Sequence, residues 1–309
     1  MLWKHQSKAI DIARQCVLDK DTGKFLIQIP PGTGKTEIAA RLAISWSTSK
    51  NMRKALICVP NTRILGQFYD RLVALTPHAI GVDQAGRAAD PRARIVIASQ
   101  MSLLGRLAKY PHDVLCIIDE AHHSNFDAPE FLRVARSFAR VIGLTATPWS
   151  NGCDTIFGGA QRYFLSLSEA TAAGLVCDFD VLPWTPPRGP YALVFCESNR
   201  DCQFHSDKTP DSDWIGVTRP APKNLSAIMR WQARKIGILF VNRMLLEGFD
   251  SKACDAVWLN RVTQSDILLV QMCGRALRHQ PGKRARIICS CHEMVERVLH
   301  ALKRLDSPS

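Results

Sequence analysis

The segment IQIPPGTGKTEIAA, at residues 27–40, constrains the fold more than any other stretch of this 309-residue chain. A short apolar run enters a turn rich in proline and glycine, and an amphipathic stretch follows directly. In such a strand-turn-helix unit, the backbone N–H groups of the turn and the helix N-terminus can hold phosphate groups. Lys35 would reach the outer phosphates, and the Thr36 hydroxyl would hold Mg²⁺. The usual motif has a glycine where this chain has Ile29, so an ordinary strand-turn-helix is the alternative.

Short β-branched runs alternate with helical-looking segments along the whole chain, which predicts an α/β fold with parallel sheets covered on both faces. A proline-rich segment, VLPWTPPRGPY at 181–191, interrupts the pattern and suits neither a helix nor a central strand, so we predict a linker there. The expected domains are residues 1–183 and 184–309. The runs are GKFLIQI, KALICVP, ARIVIAS, DVLCIIDE and RVIGLTA before the linker, and YALVFCES, KIGILFVN, DAVWLN and ARIICSC after it.

A second apolar run, in VLCIIDEAHHS at 114–124, ends in two carboxylates. Ligands bind at the carboxyl ends of parallel strands, where these side chains would lie. Mg²⁺ needs few protein carboxylates, which suits Asp119, and Glu120 could then polarise an attacking water molecule. An Asp-Glu pair at a strand end is common by itself. Preceded by the phosphate turn and followed by Ala121 and His122, the pair is a much more specific signal.

Composition limits the class of protein. A hydrophobic content of 46% with 22% charged residues is typical of a globular domain, and we find neither a membrane-span pattern nor a signal-peptide core, which predicts a cytoplasmic protein. The eleven cysteines are scattered through strand-like runs, as expected of reduced, packed thiols. Cys289, Cys291 and His292 lack a second ligand pair of zinc-site spacing. The net charge of +12 is compatible with nucleic acid but supports it only weakly.

Four motifs, PPGTGKT, DEAH, GLTATP and QMCGRALR, occur in this order and resemble the superfamily 2 helicases and translocases. The chain looks like their DEAH-type branch, which contains type III restriction-enzyme translocase subunits and DNA-repair and phage helicases. The likeness covers nearly the whole chain. It implies two tandem RecA-like domains, the second one trimmed, with ATP and Mg²⁺ bound in the cleft between them. The chain would then be a near-minimal motor core.

The resemblance implies which residues hold the nucleotide. Gln6 would recognise the adenine edge, since an amide both donates and accepts hydrogen bonds. Trp3 and His5 stand where the family has an arginine and an aromatic residue, and the alternative for Gln6 is a polar residue on the first helix. The other implied nucleotide ligands of the first domain are Gly32, Thr33, Gly34, Lys35 and Thr36, with Thr36 and Asp119 holding Mg²⁺.

Three further residues of the first domain would couple the nucleotide state to nucleic acid. Thr145 and Thr147, in TATP, would link the two, and His122 would belong to the same relay beside the catalytic base Glu120. The alternative for the threonines is a strand-end turn with hydroxyl caps. The alternative for His122 is a histidine satisfied by local hydrogen bonds.

The second domain would complete the nucleotide site. Gly248 and Asp250, in EGFD, match a motif that approaches the ribose or the domain interface. Gln271, Arg275 and Arg278 match the arginine-finger motif, in which a guanidinium stabilises charge on the γ-phosphate. The two arginines are three positions apart, which is helical spacing, so both could share one helix face. The alternative is a solvated basic helix face.

Nucleic-acid contacts are expected at strand ends of the first domain, from Thr62, Arg63, Ser99 and Gln100. Such contacts to the backbone position a strand without reading its sequence. Trp149 could stack a base or pack the domain edge. The basic residues at 278–286, which have no acidic neighbour between 267 and 292, could line a groove or be solvated.

The function predicted from the sequence is an ATP-dependent helicase or translocase that acts on nucleic acid, with DNA favoured by the resemblance. The alternatives are an RNA helicase and an ATP-switched binding subunit of a restriction, defence or repair complex. An accessory protein or nuclease subunit is a possible partner, and no membrane contact is expected.

Overall fold

The computed structural model describes residues 2–20, 23–48, 53–106, 110, 113–123, 127–184, 191–242 and 254–308. The chain divides into two compact units. Unit 1 comprises residues 1–30, 34–165 and 308–309, and unit 2 comprises residues 31–33 and 166–307. Among the described residues, no helix combines the length and the apolar character required to cross a membrane.

Unit 1 is built on a seven-stranded sheet in the order β3-β4-β2-β5-β6-β1-β7, in which every neighbouring pair is parallel. The strands are β1 Gly23–Gln28, β2 Ala55–Val59, β3 Ile80–Asp83, β4 Ile95–Ser99, β5 Leu115–Asp119, β6 Arg140–Thr145 and β7 Gln161–Phe164. The helices are α1 Lys4–Ala13, which continues as a π-helical turn Arg14–Leu18, α2 Lys35–Ser47, α3 Thr62–Leu75, α4 Gln100–Arg106, α5 Pro129–Ser137 and α6 Asn151–Phe157.

Two apolar layers cover this sheet. One layer packs side chains of α1, α2 and α3 against one face, around Phe25 and Phe68. The other packs α4, α5 and α6 against the opposite face, around Phe131 and Phe157. Because both faces are covered, β2, β4, β5 and β6 are buried along their whole lengths, which explains why they are continuous apolar runs in the sequence.

Unit 2 contains a six-stranded sheet in the order β10-β11-β9-β12-β13-β8, again with every neighbouring pair parallel. The strands are β8 Asp178–Leu182, β9 Ala192–Cys196, β10 Ser212–Ile215, β11 Ile238–Val241, β12 Ala256–Asn260 and β13 Arg284–Cys289. The helices are α7 Leu167–Ala172, α8 Asn199–Asp207, α9 Ala221–Gln232, α10 Asp266–Cys273 and α11 His292–Lys303, which is followed by a 3₁₀ turn Arg304–Asp306. The two α/β sheets confirm the predicted fold class.

The change from one unit to the other lies between Leu165 and Ser166, whereas the sequence placed the domain boundary between residues 183 and 184. The difference arises because β8 belongs to the second sheet. Its residues pair with β13, which lies about a hundred residues further along the chain, as in Asp178 with Arg284. The proline-rich segment therefore begins inside a strand, and its residues 185–190 lie outside the described residues.

Gly143 of β6 generates a prediction about the core of unit 1. A Cβ atom at this position would lie 2.5 and 2.6 Å from two ring carbons of Phe157 and 3.1 Å from the Leu26 side chain. We expect Gly143→Ala to lower the free energy of unfolding by about 1–3 kcal/mol through overpacking, measured by urea denaturation. Adding Phe157→Leu should recover part of that loss.

Gly66, in the exposed middle of α3, is the matched control. A Cβ atom there would meet nothing within 4 Å, so Gly66→Ala should leave the stability unchanged or raise it slightly through helix propensity. An equal effect of alanine at both glycines would contradict the packing argument.

Candidate nucleotide-binding site

The turn between β1 and α2 has the backbone geometry of a phosphate cradle. Ile29 N–H donates to the Thr145 carbonyl at 3.1 Å, which fixes the start of the turn to the neighbouring strand β6. Gly32 and Gly34 have φ values of +85° and +90°, a region that other residues rarely adopt. Gly34 is the N-cap of α2 and provides no side-chain cap. The first N–H groups of this 13-residue helix therefore face a position that suits an anion.

Gln6 lies against this turn. A Cβ atom on Gly34 would meet the side-chain amide nitrogen of Gln6, so the two residues lie directly against each other, and the positive φ favours glycine at this position. The Gln6 Oε1 atom accepts a hydrogen bond from the backbone N–H of Trp3 at 2.9 Å, and the Gln6 side chain is buried. The first helix thus places the predicted adenine-recognising amide beside the predicted phosphate turn.

The two carboxylates predicted at the end of β5 lie next to Lys35. Asp119 is the last residue of β5 and is buried. Glu120 has a φ of +48°, which is uncommon for a residue with a side chain and indicates a constrained position. Its Oε1 atom lies 3.5 Å from the Lys35 Nζ atom, with both side chains largely buried. The phosphate turn and the strand-end carboxylate are therefore in direct contact.

His122 extends this contact to the TATP segment. Its Nδ1 atom lies 3.5 Å from Glu120 Oε2 and 2.7 Å from the hydroxyl of Thr145, which also accepts the backbone N–H of Thr147 at 3.0 Å. Burial is the main cause that lowers the pKa of His122 to about 4; Glu120 opposes this shift, and Lys35 and His123 add to it. The imidazole is consequently neutral at physiological pH.

The residues at the turn fit a magnesium-bound nucleotide. Thr36 is the second residue of α2, so its hydroxyl belongs to the same turn, and Asp119 supplies a buried carboxylate at the adjacent strand end. One hydroxyl and one carboxylate suit Mg²⁺, which keeps several water ligands. Among the described residues, no group of three or more His, Cys, Asp or Glu side chains could hold a metal ion, Cys289, Cys291 and His292 included.

The positions predicted to contact nucleic acid differ in exposure. Thr62 and Arg63 begin α3 and are exposed, and the Asn61 side chain caps that helix by accepting the N–H of Arg63 at 3.1 Å. Ser99 and Gln100 are 8% and 2% exposed. Since β2 and β4 are neighbours, all four positions lie at the carboxyl edge of the sheet, but only the first pair presents its side chains to solvent.

The predicted helical spacing of the two motif arginines is wrong. Helix α10, which contains Gln271, ends at Cys273. Arg275 lies in the following turn, where its N–H donates to the Met272 carbonyl at 3.2 Å. Arg278 pairs with Val176 in an isolated antiparallel bridge. Pairing with a distant segment of unit 2 thus replaces the helix. Gly248 and Asp250, the other nucleotide ligands expected from the second half, lie outside the described residues.

Comparison with known proteins identifies the fold. Residues 1–150 match the family described as "Type III restriction enzyme, res subunit". Among solved structures, the ATP-dependent Type ISP restriction-modification enzyme LlaBIII bound to DNA has a TM-score of 0.79 at 15% identity, over 99% of this chain and 30% of that one. S. cerevisiae Dbp5 bound to RNA and ADP BeF3 has a TM-score of 0.70 at 12% identity, over 99% and 92% of the two chains. The chain shares the fold of these proteins, with two parallel sheets flanked by helices.

A curated relative extends the likeness to the sequence. The transcription-repair-coupling factor of Rickettsia conorii is 26% identical over 308 residues, which cover 89% of this chain and 27% of that protein. Its counterpart in Rickettsia bellii is 26% identical over 132 residues, which cover 38% of this chain and 12% of that protein. The chain therefore spans about a quarter or less of these two curated relatives.

In unit 2, sequence reasoning missed a set of polar side chains at the carboxyl edge of the sheet. Asn199, just after β9, donates to the Thr218 hydroxyl at 3.0 Å, and Asn242, just after β11, donates to Asn199 Oδ1 at 3.4 Å. Asn224 binds both the N–H and the carbonyl of Gly216, which follows β10. The available signal was an amide or hydroxyl residue within a few positions of each apolar run.

The basic cluster at 278–286 is partly neutralised. Arg284 forms two hydrogen bonds with Asp180, at 2.8 and 2.7 Å, although no acidic residue stands near it in the sequence. Lys283 donates to the carbonyl of Arg278 at 3.0 Å.

Trp149 is half-buried, and its backbone N–H donates to the Thr147 carbonyl at 2.8 Å.

The buried, neutral His122 predicts how stability depends on pH. Because its pKa in the folded protein, about 4, lies below the unfolded value of 6.5, the unfolded chain binds the extra proton first as the pH falls. The contribution of this group is complete above pH 6.5 and is lost progressively toward pH 4. We expect the loss of this contribution to lower the free energy of unfolding by about 3 kcal/mol between pH 7 and pH 4.

Urea denaturation across this pH range, with His122→Gln, tests the expectation. The variant should show a shallower loss of stability, whereas His300→Gln, which changes an exposed histidine of α11, should keep the wild-type slope. NMR titration of the His122 ring is an independent check. A ring that becomes protonated near pH 6.5 would contradict the prediction even if the variant does not fold.

Proposed function

We propose that this chain is an ATP-hydrolysing motor that moves along or unwinds nucleic acid. The observation that carries the proposal is the continuous set of contacts from Lys35 through Glu120 and His122 to Thr145 and Thr147, placed beside a phosphate-cradling turn in a helicase fold. A protein that only bound nucleotide would need the turn and Lys35. It would not need a constrained glutamate and a neutral histidine connected to them.

The proposed chemistry follows from these contacts. The turn N–H groups and Lys35 bind the phosphates, and Thr36 and Asp119 hold Mg²⁺, which would neutralise charge on the transferred phosphoryl group when bound. Lys35 exchanges its contact with the Glu120 carboxylate, at 3.5 Å, for the nucleotide phosphates. Glu120 is then available to accept a proton from the attacking water. His122, which stays neutral, lies 3.5 Å from the other Glu120 oxygen.

We propose that Gln271, Arg275 and Arg278 stabilise the γ-phosphate, and that Gly248 and Asp250 reach the ribose, as the resemblance to superfamily 2 proteins implies. The RecA-like domains would be close to residues 1–165 and 166–309, which follows the division of contacts. Assignment to the DEAH-type branch is supported by the motif at 119–122 and by the match of residues 1–150 to the restriction-enzyme family.

The proposed substrate is DNA. The R. conorii relative is a transcription-repair-coupling factor, and LlaBIII is a restriction-modification enzyme bound to DNA, while Dbp5, bound to RNA, is the basis for an RNA alternative. The net charge of +12 and the exposed Thr62 and Arg63 suit backbone contacts. Asn199 and Thr218 are further candidates in unit 2.

A larger assembly is a second possibility. LlaBIII is a restriction-modification enzyme of which this chain spans 30%, so an accessory or nuclease partner is compatible with the comparison. In that assembly the chain could also act as an ATP-switched binding subunit. The eleven cysteines are all free thiols, which supports a reducing, cytoplasmic location.

ATP hydrolysis, measured alone and with single-stranded DNA, duplex DNA, forked DNA and RNA, tests the motor. We expect at least one nucleic acid to stimulate turnover, with DNA more effective than RNA. Glu120→Gln should keep ATP binding and lower the turnover rate by about a hundredfold or more, because the variant lacks the base. Glu37→Gln, which changes a largely buried glutamate bound to Arg41 and Arg71, is the matched control and should retain turnover.

The outcomes separate the alternatives. If no nucleic acid stimulates hydrolysis, the motor proposal fails, and normal turnover by Glu120→Gln would remove this residue as the base. Stimulation by RNA alone would assign the chain to RNA. Nucleotide-dependent binding of DNA without turnover would favour the binding subunit.

Arg278 provides a separate test of the second unit. We expect Arg278→Ala to spare ATP binding and to reduce the stimulated rate by about a thousandfold, as loss of an arginine finger does. Arg284→Ala removes a nearby arginine that is bound to Asp180, and it should leave the rate close to wild type. Normal stimulated turnover by Arg278→Ala would return this residue to the solvated-surface interpretation.

A further inference from the structure

Arg261, the residue that follows β12, is buried without a counter-charge. Only 9% of its surface is exposed, and its Nε atom has no hydrogen-bond partner. Across the described residues, neither a carboxylate nor a carbonyl group binds its guanidinium. Arg140, which is buried to a similar extent at 6% exposure, instead donates to the Asp113 carbonyl at 2.7 Å. Burial of an unpaired cation is costly, so native proteins rarely keep one without a use.

The acidic groups around the segment after Arg261 are engaged elsewhere. The Glu197 carboxylate accepts the backbone N–H of Val262 at 2.7 Å and so fixes the loop. Asp266, at the start of α10, accepts a hydrogen bond from Arg304 at 2.6 Å. These contacts stabilise the segment between β12 and α10, and they leave the Arg261 charge without compensation from within the described chain.

The strand beside β12 ends in a turn that suits an anion. β12 and β13 are parallel, with Leu259 opposite Cys289, so Arg261 follows its strand next to the Ser290–His292 turn. The Ser290 hydroxyl is buried and has no hydrogen-bond partner in the described part of the chain. The turn leads into α11, a 12-residue helix whose N-cap provides no side-chain cap. The first N–H groups of such a helix attract anions.

A hydrogen bond holds these segments together. Arg297 of α11 donates to the Thr263 carbonyl at 3.1 Å, which ties α11 to the loop that follows Arg261. Cys291 and His292 are exposed, so the turn is accessible to a ligand. Glu293, in the first turn of α11, is exposed as well, and its carboxylate can reach solvent.

We propose that Arg261 and the Ser290–His292 turn form a phosphate-binding subsite in unit 2. A phosphate supplies the charge that Arg261 lacks, accepts a hydrogen bond from Ser290 and faces the N–H groups of α11. The subsite is at the carboxyl edge of the second sheet, where ligands bind in open α/β folds. The phosphate comes from a nucleic-acid backbone or from a nucleotide. The subsite is separate from the residues of the proposed function, because it involves neither the turn at 29–35 nor Glu120.

Two opposite effects of one substitution test the proposal on the full chain. Arg261→Met removes the charge and keeps a long side chain, so the midpoint of thermal unfolding without ligand should stay the same or rise. Its affinity for a labelled single-stranded oligonucleotide should fall roughly tenfold, and the slope of log affinity against log salt should decrease by about one. Arg261→Lys should keep the wild-type slope, because it retains a cation.

Inorganic pyrophosphate is the second probe, and its binding is measured as a rise in the unfolding midpoint. Wild type should be stabilised more strongly than Arg261→Met and Ser290→Ala. A weakened response to the oligonucleotide alone assigns the subsite to a nucleic-acid backbone, and a weakened response to pyrophosphate alone assigns it to a nucleotide. If wild type does not bind the oligonucleotide, the motor proposal fails, whereas the pyrophosphate measurement still decides the subsite.

Arg297→Met is the matched control, since this arginine has partners in Thr263 and Asp266 and its loss should lower the unfolding midpoint. The proposal is overturned if Arg261→Met binds both probes as wild type does. It is also overturned if Arg261→Met lowers the midpoint as Arg297→Met does without changing the salt slope, because Arg261 would then be a structural residue.

Discussion

The parallel pairing of β5, β6 and β1 is the constraint on which the candidate site depends. The register places Gln28 beside Thr145 and Asp119 beside Leu144, so three strands end at one level of the sheet. Successive side chains point to opposite faces, and a slip of one residue would move every side chain of a strand to the other face. The buried apolar faces of these strands forbid such a slip. Core packing thereby brings together Glu120 and the phosphate turn, which are far apart in the sequence.

Electrostatics then determines which charges this edge can hold. Lys35 and Glu120 neutralise each other at 3.5 Å in a largely buried position. A protonated His122 would add a second cation to the same small volume, and burial prevents this by lowering the pKa of the imidazole to about 4. The neutral ring is still hydrogen-bonded to Thr145 and lies 3.5 Å from Glu120. Arrival of a phosphate would change the partner of Lys35, and the contacts through His122 would carry that change to the TATP segment.

The sequence predicted the features that local patterns determine. Apolar runs identified the described strands other than β3, β7, β8 and β10, and glycine spacing identified the turn before Lys35. Features that depend on distant pairing were not predictable: the segment of Arg278 is held by Val176, and Arg284 is neutralised by Asp180, over a hundred residues away. The burial of Gln100 likewise depends on packing around α4. Arg261 gave no signal, because a missing partner is a property of the folded surroundings and not of the residue.

Some buried polar groups have partners within the described residues, and others do not. Away from the strand ends, Glu37 has local partners in Arg41 and Arg71. At the carboxyl edges, the hydroxyl of Thr147 in unit 1 and the Nε atom of Arg261 in unit 2 are buried, and neither has a hydrogen-bond partner within the described residues. An unsatisfied buried polar atom lowers stability, so its occurrence at the ligand-binding edge of each sheet is best explained by a partner that arrives from outside the chain. The cost to the free protein then becomes part of the driving force for binding, since the ligand supplies the interaction that folding alone leaves out.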